Sequence, residues 1–104
     1  MTDGQDDDES VLARVEPYGA DPDDVAAYDV VVDLLNQVVG VYSAQIRDEQ
    51  RREPVDHEAV AALRETQASY VGTQRRLRPG DRERVAELRR ECAAIIREFE
   101  AGLS

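Results

Sequence analysis

Residues 21–50, DPDDVAAYDVVVDLLNQVVGVYSAQIRDEQ, constrain this chain more than any other stretch. They open with a helix-start signal. Asp21 is placed to cap the free N–H groups of a first turn, Pro22 suits the first helical position, and Asp23 and Asp24 favour the positive end of a helix dipole. The pattern predicts a helix of about thirty residues, some 45 Å long at about 1.5 Å per residue. In heptads with Tyr28 at a, the apolar rows are Tyr28, Leu35 and Tyr42 at a, Val31 and Val38 at d, Val32, Val39 and Ile46 at e, and Leu34 and Val41 at g. Such a face is wider than the stripe of about 100° that rests on one neighbour, so it calls for cover from two sides. Asp29, Asp33, Asn36, Gly40, Ser43 and Arg47 mark the narrow side left for water. The valines are β-branched and poor helix formers, so tertiary contacts have to hold this helix together.

Two further helices supply that cover. The apolar periodicity fades in RDEQRREP, where Pro54 ends the first helix near residue 51. Residues 55–77 read as a second helix with an inward row of Val60, Leu63, Gln67, Tyr70, Gln74 and Leu77. Gln67 and Gln74 interrupt that row and are expected half-exposed or hydrogen-bonded. Arg78, Pro79, Gly80 and Asp81 form the clearest turn, with Asp81 placed to cap a third helix. That helix reads over residues 81–101, with Val85, Leu88, Cys92, Ile95 and Phe99 inward, Ile96 alongside, and Gly102 as its stop. The short connection predicts a C-terminal helix hairpin. The fold expected is all-α, a three-helix bundle over residues 21–104. Ahead of it, residues 1–20 read as an acidic, flexible arm, with one short helical turn that Ser10 caps and Pro17 stops. Val11, Leu12, Val15 and Tyr18 read as a short segment folded back on the bundle, or as an arm that orders on a partner.

Charge is distributed unevenly along the chain. Of the 23 acidic side chains, nine fall in residues 1–24 against one base, Arg14, a net −8; the other eighty residues carry −2 of the total −10. That balance argues against broad binding to nucleic acid or to an anionic membrane, both of which need cationic surface. A protein partner with a basic surface is the natural expectation. The acidic first ten residues do not read as a signal peptide, and no apolar run is read as reaching the roughly twenty residues of a membrane span. With Cys92 as the single cysteine, the expectation is a cytoplasmic protein.

No residue set announces catalysis, a metal or a cofactor, and the expectation is a non-enzyme that uses none. His57 is the only histidine, and its neighbours Asp56 and Glu58 point in other directions on a helix. Cys92 lies on an apolar row, the setting of a small core residue and not of a reactive thiolate. Phosphate loops, nucleophile elbows and paired cysteines do not occur. Residues 75–90 hold seven arginines against three acids, but the tight Pro79-Gly80 turn is unlike the steep crossing of a DNA-reading helix pair. They read instead as a solvated arginine surface that pairs with nearby glutamates or with the acidic arm.

The order of parts is an acidic lead, YDVVVDLLNQVVGVYSAQIRDEQ, a charged break, a helix ending at Leu77, then LRPGDRERVAELRRECAAIIREF. Over residues 24–100 this layout resembles the epsilon-type antitoxins that accompany zeta toxins, which are small acidic helical bundles. The resemblance lies in architecture and carries no invariant motif. It implies a non-catalytic inhibitor of a P-loop kinase that phosphorylates a nucleotide-sugar precursor of the cell wall, with the first helix laid across the nucleotide site. The partner-binding residues it implies are those at the start of the long helix, Asp21, Asp24 and Tyr28, with Tyr18 and Asp23 beside them. Two alternatives stand: a helical adaptor or assembly protein acting as a dimer through the wide face of the first helix, and an acidic mimic of nucleic acid.

Overall fold

The computed structural model describes residues 21–103, which form three helices and no strand: α1 (Pro22–Gln50), α2 (His57–Arg76) and α3 (Arg82–Leu103). The expectations for the acidic arm, including its short helical turn and Tyr18, fall on residues 1–20, outside the described residues.

The wide face of α1 is covered from two sides. Val31, Leu35 and Val38 pack with Val85, Leu88 and Cys92 of α3 and with Leu77, the residue that ends α2, to make the core. Ala27, Tyr28, Leu34, Tyr42, Tyr70, Ile95 and Ile96 pack around it. Leu35, Leu88, Val31, Val38 and Cys92 have no exposed surface. The predicted inward rows face inward, with Leu63 and Phe99 half-buried outside the core cluster. By length and composition alone α1 is long and apolar enough to cross a membrane, which corrects the expectation that no stretch reaches that mark. In this fold Val31, Leu35, Val38, Val41 and Ile46 of α1 are buried, Tyr28, Val32, Leu34, Val39 and Tyr42 are half-buried, and Val30 is its exposed large apolar residue.

The two covering helices use different chemistry. Against α3, α1 is apolar beyond its first turn, where Asp21 and Asp24 meet Arg82. Against α2, the interface is spanned by two glutamines seven residues apart. Gln67 Nε2 donates to the Val39 carbonyl at 2.9 Å and to Ser43 Oγ at 2.8 Å. Gln74 Nε2 donates to the Val32 carbonyl at 3.3 Å and to Asn36 Oδ1 at 2.8 Å. Each amide thus spends both of its N–H groups on one turn of α1, on a carbonyl and on the side chain four residues later. As the residue numbers rise on α2 they fall on α1, so these helices are antiparallel. Between the two bridges, Tyr70 stacks on Tyr42 with ring centroids 5.9 Å apart and donates its hydroxyl to Glu91 Oε2 of α3 at 2.6 Å.

Although α2 and α3 run in opposite directions, they are not a closely packed hairpin. No pair of their Cα atoms lies within 8 Å, whereas both pack along α1. The reason is the width of the α1 face, which spreads the two helices to its flanks. Their link is the Tyr70 hydroxyl together with Leu77, which drops into the core where α2 ends.

Helix ends follow local chemistry, with two differences from expectation. Asp56 caps α2 by accepting from the Ala59 N–H at 3.1 Å. The carboxylate of Asp81 turns backwards, accepting from the Arg78 N–H at 3.0 Å, while its carbonyl takes the first helical bond, from Val85 N–H at 2.8 Å. It closes the turn and does not cap α3. Gly102 does not stop α3, which runs to Leu103; no glycine among the described residues has positive φ, so no left-handed cap forms there.

Two substitutions separate the apolar from the polar interface. Leu35→Ala should cost about 2–5 kcal/mol, because it empties fully buried volume. Gln67→Ala should cost about 1 kcal/mol, the net worth of a typical internal hydrogen bond. Urea unfolding followed by circular dichroism checks both, and equal losses would contradict the assignment of the core to the α1–α3 side.

Candidate partner-binding site

The start of α1 is built as its sequence indicates. Asp21 adopts an extended conformation (φ −77°, ψ 117°) and its Oδ1 accepts from the Asp23 N–H at 2.9 Å, Pro22 begins the helix, and Asp23 and Asp24 lie in the first turn. What local sequence does not reveal is the partner. Arg82, the first residue of α3, reaches across to α1 and donates from Nε to Asp24 Oδ2 at 2.8 Å and from Nη2 to Asp21 Oδ2 at 3.4 Å. The first turns of α1 and α3 thus lie side by side, two positive dipole ends at close quarters. The carboxylates of Asp21 and Asp24 offset that field and bind the guanidinium in it. The hydrogen bond to Asp24 raises the pKa of Arg82 above its ordinary value, with the charges of Asp24 and Asp21 adding to it. The Arg82 side chain is nonetheless about two-thirds exposed, so the pair sits at the water boundary.

The implied binding residues therefore separate. Asp21 and Asp24 are drawn together by Arg82. Asp23 is exposed and has no ion-pair partner among the described residues. Tyr28 is half-buried and packs against the core, so it has a structural role. Tyr18 lies outside the described residues.

Beside this ion pair, α1, α3 and the turn before α3 border an open pocket of about 250 Å³. It is lined by Asp24, Ala27, Pro79, Arg82, Val85, Ala86 and Arg89. Ala27, Pro79, Val85 and Ala86 supply its apolar lining, and Asp24, Arg82 and Arg89 its charged lining. On the other side of the α2–α3 turn a more polar pocket of about 210 Å³ is lined by Thr73, Arg76, Leu77, Asp81 and Arg84. Arg84 there is paired with Glu87 at 3.0 Å, one turn along the helix. Arg75, Arg76, Arg89 and Arg90 have no ion-pair partner among the described residues.

Other chemistry-bearing residues lie away from this end. His57 is exposed at the start of α2, and no group of three or more His, Cys, Asp or Glu among the described residues is arranged to hold a metal. Cys92 is fully buried, and burial pushes its thiol up to about 11. Burial and the hydrogen bond to Glu91 likewise raise Tyr70. No protein family, curated protein or solved structure matches the chain.

The raised thiol sets a pH dependence. An unfolded chain releases the cysteine proton above about pH 8.5, whereas the fold holds it up to about 11. Stability from this source is therefore complete below about pH 8.5 and falls as pH rises toward the folded value, with Tyr70 adding a further loss above about pH 10. Urea midpoints measured from pH 7 to 10.5 should decline above about pH 8.5, and Cys92→Ala should flatten the first part of that decline. Parallel curves for the two proteins would mean that the buried thiol is not its source.

Proposed function

We propose that this chain is a non-catalytic protein-binding module that offers the acidic start of α1 to a basic partner. In its most specific form it is an antitoxin that blocks the nucleotide site of a zeta-type P-loop kinase toxin. The observation that carries this reading is the grip of Asp21 and Asp24 on Arg82, at 3.4 and 2.8 Å. Carboxylates on the first turn of α1 already hold a guanidinium, the group with which nucleotide-binding enzymes hold phosphate. An external cation takes the place of Arg82 at small cost, because an exposed ion pair is worth only about 0–1 kcal/mol. Asp23 stands next to it, with no ion-pair partner among the described residues. The architectural resemblance to epsilon-type antitoxins supplies the specific partner, and a cytoplasmic location goes with it.

The test uses a purified zeta-type kinase. The protein should inhibit it competitively with nucleotide. Asp23→Lys should slow association several-fold and leave the dissociation rate nearly unchanged, since rim charges act mainly on encounter rates. Asp23 is the informative position because Asp21→Lys would also remove a helix cap worth about 0.5–2 kcal/mol, and Tyr28→Ala would loosen the core. Absence of inhibition, or inhibition indifferent to both Asp23→Lys and ionic strength, would remove the antitoxin reading.

A further inference from the structure

The pocket between α1 and α3 has an occupant of its own within reach. At about 250 Å³ it falls below the roughly 300–1,000 Å³ of small-molecule sites, and suits a single large side chain. Its apolar lining of Ala27, Pro79, Val85 and Ala86 beside the charged groups of Arg82, Arg89 and Asp24 matches a side chain with an apolar body and a polar tip, which describes tyrosine. The guanidinium groups of Arg82 and Arg89 in the lining add a cation–π attraction for an aromatic ring.

The chain enters the described fold at the edge of this pocket, because the carboxylate of Asp21 lies 3.4 Å from Arg82. Tyr18 is three residues upstream, within about 10 Å of chain, and Gly19 between them lets the backbone double back. Beyond it, residues 1–20 hold six acids and one base. The arginines around the α2–α3 turn, Arg75, Arg76, Arg89 and Arg90, have no ion-pair partner among the described residues. A tethered segment also acts at an effective concentration in the millimolar range, so modest contacts suffice.

We propose that the chain's own leader is the occupant: Tyr18 seats its ring on Ala27, Val85 and Ala86, and the carboxylates upstream lie along the arginines of the α2–α3 turn. The leader is then a built-in competitor for the pocket and for the arginines beside it, displaced when a stronger acidic or aromatic ligand takes them. This holds whether or not the chain has the partner proposed above.

The experiment uses the full chain, isotopically labelled, and follows backbone amide resonances by NMR. Tyr18→Ala should shift the amides of Ala27, Ala86 and Arg89 while leaving those around Val60 in place. Arg89→Glu, at an exposed position that the fold does not depend on, should produce the same change near Ala27, and high salt should reproduce it in part. A nitroxide attached at Ser10→Cys, with Cys92 buried and unlabelled, should broaden Arg89 and Arg90 by the same amount at every protein concentration. Unchanged Ala27 and Ala86 amides in Tyr18→Ala would overturn the proposal. So would broadening that grows with concentration, since a second copy would then be the occupant.

Discussion

Everything in this fold depends on burying one helix face that is too wide for a single neighbour. The valines of α1 gain little from being helical in themselves, so the helix persists because two others lie along it. That demand also explains the open arrangement. Helices α2 and α3 each serve α1 and are held apart by it, touching one another through a tyrosine hydroxyl and the leucine that ends α2. The α1–α3 side carries the fully buried residues and hence most of the hydrophobic stabilisation. The α1–α2 side is more polar, and its hydrogen bonds define alignment more than they add free energy.

The ends of the bundle differ in the same spirit. Where α1 and α3 begin together, parallel dipoles and a cluster of arginines make a cationic environment that Asp21 and Asp24 relieve. The acids at the start of α1 therefore have a structural duty within the fold. An interaction that uses them must exchange with Arg82, which makes Asp23 and the pocket the parts of this end that respond most freely to something new.

Periodicity makes the three helices and their inward rows legible, because burial repeats every three or four residues whatever the partner is. Gln67 and Gln74 are visible as interruptions of a row, yet their acceptors are not, since the carbonyls of Val32 and Val39 belong to no side chain. The pairing of Arg82 with residues about sixty positions away is equally silent, as is the pocket it helps to form. Asp81 departs from its expected role because N–H groups on both sides compete for one carboxylate, and the turn's own Arg78 wins. Gly102 departs from its role because a glycine permits a left-handed stop without requiring one. Tyr28 is legible twice, on an inward row and as a binding anchor, and its packing against the core supports the first.

The spacing of the two glutamines has a mechanical consequence. Both bridges repeat after seven residues, so the α1–α2 contact is a rack with evenly cut teeth. A slide of α2 by one tooth, about 10 Å at 1.5 Å per residue, would carry Gln74 onto the Val39 carbonyl and Ser43, and Gln67 onto the Ile46 carbonyl and Gln50. The polar teeth alone would not resist it. What holds the ratchet in place are the contacts that do not repeat: Leu77, locked in the core with Val31 and Leu88, and Tyr70, stacked on Tyr42 and bonded to Glu91, act together as the pawl for the interface.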